Sequence, residues 1–401
     1  MMNYFLGVDI GNSKSHALIA DENGRSVGFG SAGPGSWEAI GWASAQLVLQ
    51  DIVHQAVAQA GIAKSDIAGA GFGYAGYDWP EDRPGHEAMI ASLNLSAPYA
   101  LGNDTLVGLV AGAEKGWGVV VVAGTSNNCC GRNRQGQEGR VTGTGSWFGE
   151  YGGAAEIVTK AIQAVAAAWT WRGPATALSE AFVAHAGAAN VADLLAGLVR
   201  NRYRLSSSLA PLVFDVAAQG DSAAQQIISW AGRELGSLAN GVIRQLNLAE
   251  EQFDVVLSGS VYKGGLPLIE PMRQTIQAVA PGANLVRLHA PPVVGGVLLG
   301  MEQAGLETAV PRHLFAANVL PSSPPPPNKR YQQVLPGRVC LSAIRLRLLG
   351  VPFWMNDGYS VSLAASSGWK AICTASFCRQ IIRLHQPAAG FGVKIGVAQP
   401  L

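Results

Sequence analysis

Residues 4–19 read YFLGVDIGNSKSHALI, and this stretch decides how the rest of the chain is interpreted. An apolar run ends in an Asp-x-Gly sequence at Asp9, small polar residues follow, and a second apolar run begins. The pattern predicts a β-hairpin whose tight turn presents backbone N–H groups beside a carboxylate. Such N–H groups suit phosphate oxygens, Ser13 and Lys14 would add donors, and Asp9 would hold a hydrated magnesium ion. Taken alone, the stretch fits an ordinary surface hairpin equally well.

The same pattern recurs further along the chain. Residues 119–130 read VVVVAGTSNNCC, which is again an apolar strand, a turn of small polar residues and an outgoing segment. Two such turns favour a duplicated domain in which two phosphate-binding hairpins face each other across a cleft.

These motifs resemble the sugar kinase, Hsp70 and actin superfamily of ATPases. Within it, the chain most resembles the N-acetylglucosamine kinase and BadF/BadG/BcrA/BcrD ATPase family, over residues 3–305. The resemblance implies an α/β fold of duplicated ribonuclease H-like (actin-like ATPase) domains with a nucleotide cleft between them. It implies an N-terminal half at residues 1–116, onto which residues 291–305 pack back, and a C-terminal half at residues 117–290.

Both turns carry less glycine than the family pattern. Asn12 and Ser126 add side chains where glycine would let the backbone approach a phosphate. Asparagine tolerates left-handed backbone angles, so we expect the first turn to form, with weakened nucleotide affinity.

The bulk composition indicates a well-buried α/β protein. Apolar residues make up 48% of the 401 residues, and 50 are glycine. No window reaches the ~18 continuous apolar residues of a membrane span, and the N-terminus lacks a signal pattern, so we expect a cytoplasmic protein. The five cysteines form neither a CxxC pair nor a zinc spacing, which argues against a disulfide framework or a structural metal.

The charge is unevenly distributed along the chain. Residues 307–401 hold ten of the 28 Lys and Arg residues but only two of the 27 Asp and Glu residues, so residues 1–306 are acidic. An acidic body argues against a nucleic-acid partner. The composition predicts a proline-rich linker at residues 306–328. For the basic tail at 329–401, two interpretations stay open: a partner-binding extension, or a frame-shifted or fused end foreign to the fold.

Helical periodicity is clearest in two places. A helix opening at Ser36-Trp37 and ending at Gly61 has one apolar face, and a second helix precedes the strand at residues 253–257. The faces consist of Ala45, Val48, Leu49, Ile52, Val53 and Ala56 in the first helix, and of Ile227, Ala231, Leu235, Leu238 and Val242 in the second. We also predict strands at 26–30, 67–74 and 99–102, and helices at 86–93, 106–114, 154–168 and 291–300.

Asp104 lies between a predicted strand end and a predicted helix start. An aspartate in this setting is ordinarily an N-cap. In the sugar kinases that the chain resembles, an aspartate at this place is the general base that accepts the proton of the sugar hydroxyl. A carboxylate suits that role because phosphoryl transfer needs an oriented hydroxyl and a proton acceptor.

The resemblance also implies the residues that bind the two substrates. ATP would lie between the two turns and against a glycine turn after residue 257, with Mg²⁺ near Asp9. The nucleotide-binding residues are then Gly11, Asn12, Ser13, Lys14, Gly124, Thr125, Ser126, Ala217, Gly259, Ser260 and Gly264. The sugar pocket would consist of Ser36, Trp37, Asn103, Asn128, Gly143, Thr144 and Glu150. Glu150 stands where the family has a shorter aspartate, which leaves the identity of the sugar open.

Three functions fit the sequence. The leading hypothesis is an ATP-dependent kinase of an amino sugar, N-acetylglucosamine or glucosamine, with a small-molecule sugar as its partner and with a homodimer left open. The second is an ATPase that activates a partner enzyme through an iron–sulfur cluster between subunits. Cys129 and Cys130 would be a poor cluster pair, because adjacent strand residues point to opposite faces. The third is a non-catalytic sugar or nucleotide sensor. Repressor-type relatives carry a DNA-binding helix pair ahead of the first hairpin, which here begins at Tyr4.

Overall fold

The computed structural model describes residues 2–306, 360–364 and 370–374. The chain divides into two units, Met1–Pro327 and Asn328–Leu401. The functional residues predicted above all lie in the first unit.

The first sheet contains five strands: β1 (Tyr4–Ile10), β2 (Ser15–Asp21), β3 (Ser26–Ala32), β4 (Ile67–Tyr74) and β5 (Tyr99–Asn103). Their order is β3-β2-β1-β4-β5, in which β1, β2 and β3 are antiparallel neighbours while β4 and β5 run parallel to β1. Ile10 pairs with Ser15 at the end of the first hairpin, so the predicted hairpin and its turn are confirmed. The carboxyl ends of the parallel strands β1, β4 and β5 therefore meet at one edge of the sheet.

Four helices accompany this sheet: α1 (Trp37–Ile40), α2 (Trp42–Ala60), α3 (Arg83–Ala91) and α4 (Asp104–Gly112). The buried face of α2 consists of the six residues predicted from periodicity, and α2 ends at Gly61 in the left-handed conformation. The prediction of one continuous helix from Ser36 was wrong, because Gly41 adopts φ 78° and ψ 155° and separates α1 from α2. Helix α3 starts three residues earlier than predicted, with a proline in its first turn, where its missing N–H costs nothing.

The second sheet repeats the first. Its strands are β6 (Gly118–Ala123), β7 (Asn127–Arg132), β8 (Glu138–Arg140), β9 (Phe253–Ser258) and β10 (Ala283–Arg287), in the order β10-β9-β6-β7-β8. Strands β6, β7 and β8 are antiparallel neighbours, and β9 and β10 run parallel to β6. Because both sheets share this topology, the predicted duplication is confirmed.

Helices fill the rest of the second half: α5 (Ala154–Trp169), α6 (Leu178–Ala186), α7 (Val191–Val199), α8 (Ala210–Ala218), α9 (Ser222–Gln245) and α10 (Leu266–Gln277). The buried face of α9 includes all five residues predicted from its periodicity. These helices form one apolar core with β6, β7 and β9. Burial of this periodic face accounts for the long helix.

The last helix of the first unit, α11 (Val293–Gln303), packs against β1, β4 and α4. Backbone meets backbone here, since a Cβ on Gly71 of β4 would collide with the carbonyl oxygen of Gly296. A second apolar cluster, which includes α11 and α4, also takes in Val120 and Val256 of the second sheet. The two halves therefore share a core where they meet.

Cys129 and Cys130 lie on opposite faces of β7, as predicted. Cys129 belongs to the core of the second half, and Cys130 belongs to the cluster shared by both halves. Both are buried free thiols.

Within the described residues, no single helix is long and apolar enough to cross a membrane. Helices α6 and α7 pass that test only as a pair, which is bent by 61°. In the second unit, β11 (Ser360–Ala364) and β12 (Lys370–Thr374) form an antiparallel pair. The predicted proline-rich linker and most of the basic tail lie outside the described residues.

Candidate active site

The first turn joins β1 to β2 and opens to solvent. The N–H of Gly11 donates to the carbonyl oxygen of Lys14 at 3.0 Å, and the N–H of Gly35 donates to that of Gly11 at 3.1 Å. A Cβ on Gly11 would lie 2.8 Å from the Lys14 carbonyl oxygen, so the turn requires glycine there. Asn12, Ser13 and Lys14 are exposed, which leaves their side chains accessible to a ligand.

The second turn joins β6 to β7 and is tied to the helix that follows. The N–H of Gly124 donates to Ser126 at 2.8 Å, which closes the turn. The carbonyl oxygens of Gly124 and Thr125 accept from the N–H groups of Ala154 and Ala155 at 2.9 and 3.0 Å. The first turn of α5 therefore fixes the orientation of this hairpin, while Thr125 and Ser126 stay exposed.

The predicted adenosine residues lie at the same edge of the second sheet. Ser258, the last residue of β9, pairs with Val122 of β6, and Gly259 follows with φ 113°. A Cβ on Gly259 would collide with the backbone of Ala123, just before the second turn. The glycine at 259 is therefore required by the close approach of two chain segments.

The other predicted adenosine residues extend from that edge. Ser260 is exposed, and Gly264 packs directly against the ring of Phe214 on α8. Ala217 lies on the same helix but is 5% exposed, and its carbonyl oxygen accepts from Gly220 and Gln225.

Two carboxylates from the first half lie within electrostatic reach of each other. Asp9 on β1 pairs with Gly73 on β4, and a Cβ on Gly73 would lie 3.2 Å from the Cα of Asp104. Burial raises the pKa of Asp9 to about 7, and the negative charge of Asp104 adds to this effect. Burial also raises the pKa of Asp104 to about 7, with a further contribution from Asp78. Both carboxyl groups therefore titrate near neutral pH.

Asp104 is not the N-cap of its helix. Asn103 has extended backbone angles, and its side-chain oxygen accepts from the N–H of Thr105 at 3.0 Å and from its hydroxyl at 2.6 Å. The cap interpretation of Asp104 was therefore wrong, and so was the predicted helix start at Leu106. Because Asn103 already caps the helix, the carboxylate of Asp104 is not needed for that purpose.

Asp78, which sequence analysis did not identify, belongs to the same group. Its Oδ1 accepts from the side-chain amide of Asn103 at 3.0 Å and lies 3.6 Å from Nη1 of Arg140. Asp78 follows β4 as Asp104 follows β5, so a search for acidic residues just beyond each parallel strand would have found it. Arg140 comes from β8 of the other half and carries no such signal.

Glu150 organises the loop between β8 and α5. It is buried, and its Oε1 accepts from the N–H and the hydroxyl of Thr142 at 2.6 and 2.8 Å. Its Oε2 accepts from the N–H of Gly145 at 3.2 Å. The carboxylate therefore shapes the loop that carries Gly143 and Thr144.

Asn128 on β7 contacts this loop. A Cβ on Gly143, which has φ 72°, would lie 3.3 Å from the side-chain amide nitrogen of Asn128. The structure thus brings Asn128, Gly143, Thr144 and Glu150 together on the second half.

Ser36 and Trp37 lie beside the end of β4. The indole N–H of Trp37 donates to the carbonyl oxygen of Gly76 at 2.6 Å, and the ring stacks on Trp42 with centroids 4.4 Å apart. Trp37 therefore fastens α1 to the first sheet. Ser36 is fully buried, and its hydroxyl oxygen has no hydrogen-bond partner in the protein. An orphaned buried hydroxyl is a candidate ligand contact.

The chemistry of these residues fits a magnesium ion that arrives with a nucleotide. Among the described residues, no group of three or more His, Cys, Asp or Glu side chains could hold a metal ion by itself. Mg²⁺ usually binds one or two protein carboxylates and completes its coordination with phosphate and water oxygens. Asp9 meets that requirement, because a divalent cation bound to it would offset the negative charge of the neighbouring Asp104.

The model of the BadF/BadG/BcrA/BcrD ATPase family matches residues 6–300. This chain belongs to that family. Among curated proteins, this family member is 25% identical over 304 residues to an N-acetylmuramic acid/N-acetylglucosamine kinase of Clostridium acetobutylicum, covering 75% of this chain and 99% of the relative. It is also 25% identical over 311 residues to an N-acetyl-D-glucosamine kinase of Dictyostelium discoideum, covering 74% of this chain and 97% of that relative.

Among solved structures, this BadF-family chain resembles a Chromobacterium violaceum protein described as a candidate N-acetylglucosamine kinase. The TM-score is 0.54 at 21% identity, and the match covers 74% of this chain and 98% of that one. The predicted family and the predicted duplicated fold are therefore confirmed. The family model ends at residue 300 and does not include the rest of the chain.

Proposed function

We propose that this family member transfers the γ-phosphoryl group of ATP to a hydroxyl of an amino sugar, N-acetylglucosamine or glucosamine. The observation that carries the proposal is the carboxylate of Asp104, which Asn103 releases from helix capping and which lies beside Asp9 at the carboxyl edge of the first sheet. The kinase activities of the two curated relatives support the same reaction.

The two turns would bind the phosphates of ATP. Backbone N–H groups of residues 12–13 and 125–126 would stabilise charge on the transferring group, and Lys14 would add a cation. The segment at residues 259–264, with Ala217 behind it, would receive the adenosine. Asp9 would hold Mg²⁺, which when bound neutralises part of the charge on the β- and γ-phosphates.

Asp104 would accept the proton of the attacking sugar hydroxyl. A general base works best when its pKa lies near the working pH, and burial raises the pKa of Asp104 to about 7. Asn103 and the N–H groups of the first turn of α4 would fix the carboxylate relative to the sugar. Phosphoryl transfer relies chiefly on such positioning, because it requires little covalent chemistry from the protein.

The sugar would bind between Asn103 on the first half and Asn128, Gly143 and Thr144 on the second. Glu150 would act mainly through the loop that it holds, and Ser36 would offer its unpartnered hydroxyl. Trp37 would hold Ser36 in place through its hydrogen bond to Gly76. Closure of the halves around the sugar would exclude water that otherwise hydrolyses ATP. We further propose that the protein acts in the cytoplasm, where ATP is available, and a homodimer stays a prediction.

The two alternative hypotheses have less support. Cys129 and Cys130 are buried on opposite faces of one strand, which does not suit a cluster shared between subunits. A non-catalytic sensor would not need both phosphate turns and a carboxylate that titrates near neutral pH. A purified protein that is coloured and contains iron would revive the first alternative.

The substitution Asp104→Asn tests the proposed base. It keeps the size of the side chain but removes proton acceptance, so we expect kcat with ATP and the sugar to fall by ~10²–10⁴-fold. The thermal midpoint should not fall below that of the wild type, because Asn103 still caps α4. Asn103→Ala is the matched control, since it should lower the midpoint by removing the cap. Near-normal turnover of a folded Asp104→Asn protein would exclude Asp104 as the base.

A further inference from the structure

Two ion pairs connect residues of the second sheet to the first half. Arg132 on β7 donates to both carboxylate oxygens of Glu302 on α11 at 3.0 Å, and also to the carbonyl oxygen of Gly116 at 2.6 Å. This pair lies where the chain passes from one half to the other. Arg140 and Asp78, at 3.6 Å, form the other pair beside the predicted sugar residues.

The second half holds the backbone of Arg140 firmly. The N–H of Arg140 donates to Oε1 of Gln245 at 2.9 Å, and its carbonyl oxygen accepts from Nε2 of the same residue at 3.0 Å. Gln245 is the last residue of α9, the longest helix of this half. Only the side chain of Arg140 therefore reaches across to the first half.

In the first half, the segment of Asp78 and Trp79 faces this guanidinium, and hydrogen bonds to Asp82 hold it in place. One carboxylate oxygen of Asp82 accepts from the N–H groups of Asp78 and Trp79 at 3.1 and 2.8 Å. The guanidinium carbon of Arg140 lies 5.0 Å from the centre of the Trp79 ring, within the range of a cation–π interaction. Arg140 therefore contacts two consecutive residues, the charged carboxylate of Asp78 and the aromatic ring of Trp79.

Asp78 also connects this segment to α4, the helix that begins at the proposed base Asp104. Its Oδ1 accepts from the amide of Asn103, and Asn103 caps α4, whose first residue is Asp104. A continuous series of polar contacts therefore runs from β8 of the second half to the start of α4 in the first.

We propose that Arg140, Asp78 and Trp79 form a clasp that joins the two halves at the sugar end of the cleft and positions Asn103 and Asp104 for phosphoryl transfer. The clasp rests on the proposed kinase function. The distance of 3.6 Å between Nη1 of Arg140 and Oδ1 of Asp78 exceeds the 3.0 Å between Arg132 and Glu302. Closure of the halves around a sugar would shorten the distance between Arg140 and Asp78. Arg140 and Asp78 are positioning residues, because they act through Asn103.

A double-mutant cycle tests the clasp. Asp78→Asn keeps an acceptor for Asn103 but loses the charge, and Arg140→Met keeps most of the apolar stem. We expect each to lower kcat with the sugar about tenfold, with little change in KM for ATP, and the double variant to be no worse than either single one. Arg140→Lys should recover part of the loss, because it restores the charge without the planar group.

Arg134→Met is the matched control, because Arg134 pairs with Glu251 at 2.9 Å within the second half. It should leave kcat near wild type. Independent effects of Asp78→Asn and Arg140→Met, which multiply in the double variant, would overturn the clasp, as would an Arg140→Met protein no different from the control.

Solution X-ray scattering separates failure of the clasp from failure of the proposed function. If the wild-type chain phosphorylates no sugar, the kinase proposal fails, but the radius of gyration of the ligand-free proteins still reports on the clasp. Arg140→Met should then be larger than both wild type and Arg134→Met. An unchanged radius would overturn the clasp by itself.

Discussion

The two turns that we propose to bind phosphate have the same topology but are held in place by different contacts. The first, at residues 11–14, is closed by its own hydrogen bond and held from outside by the N–H of Gly35. In the second turn, at residues 124–126, two carbonyl oxygens accept hydrogen bonds from N–H groups at the start of α5, so this helix holds the turn. Asp9 and Asp104, whose pKa burial raises to about 7, belong to the half that carries the first turn, and Asp9 directly precedes that turn. We infer that the second turn is a fixed support for ATP, and that the first turn adjusts to the metal and the transferring phosphate.

The largest difference between the turns should come from alanine at their first glycines. A Cβ at position 11 would press on the Lys14 carbonyl oxygen, whereas a Cβ at position 124 would meet its nearest atom only at 4.0 Å. Gly11→Ala should therefore distort the first turn and lower kcat/KM for ATP by ~10²-fold, since small displacements of reacting groups have effects of that size.

Gly124→Ala is the matched control for this change. It should retain the wild-type thermal midpoint, and any loss of ATP affinity would then report contact between the second turn and a phosphate. Equal losses of stability in Gly11→Ala and Gly124→Ala would contradict the inference that the two turns differ in how tightly they are packed.

The link between the second turn and α5 can be weakened through Glu156. Its Oε2 accepts from the N–H of Gly153 at 2.9 Å and from the amide of Asn127 at 3.4 Å. Glu156→Ala should cost ~1 kcal/mol, as the loss of a helix cap does, and lower the thermal midpoint by a few degrees. Glu180→Ala, in the first turn of α6, is the control. If the midpoint does not move, α5 does not hold the turn through this carboxylate.

The stability that Asp9 and Asp104 contribute should depend on pH. The pKa of Asp9 and of Asp104 lies at about 7 in the folded protein, above the ordinary value of 3.8. The folded state then binds more protons between these values, so the free energy of unfolding contributed by this pair falls as pH rises from about 4 to about 7. The thermal midpoint of the ligand-free wild type, measured relative to Asp104→Asn, should decrease from pH 5 to pH 8. An increase would contradict the raised pKa values.

The smallest effect should come from removing the chain beyond Leu306. Both turns, α11 and the clasp lie before that residue, and the family match ends at residue 300. The truncated protein should be soluble and should match the full chain in kcat and in both KM values. Insoluble protein after truncation would mean that the tail contributes to the core.

Local patterns predicted most of the fold. The six apolar residues of α2 recur with a helical period and all lie in the core, because burial of one face determines where a helix forms. The break at Gly41 escaped prediction, since an isolated glycine is compatible with a helix until its backbone angles are known. Asn103 and Asp104 are both good caps, and only the backbone decides that Asn103 caps the helix.

The sequence indicated where the predicted site residues lie in the fold, but it did not indicate most of their contacts, and their roles in binding stay predictions. Both turns, Asp9 and the segment after β9 could be identified because each combines glycine or aspartate with a strand end. The contact of Arg140 with Asp78 could not, because it joins residues on different halves whose spacing in the sequence carries no signal. The bonds of Glu150 to Thr142 and Gly145 could not be predicted for a different reason, because they depend on how the loop between β8 and α5 folds back on itself.

The central claim is tested most directly by ADP release from the full chain with Mg²⁺ and ATP over a panel of sugars. N-acetylglucosamine, glucosamine, N-acetylmuramic acid, glucose and no sugar would be compared, with the sugar phosphate measured in parallel. The proposed kinase predicts that ADP forms only with an amino sugar and in equal amount to the phosphorylated sugar. ADP release at the same rate with and without every sugar would contradict it.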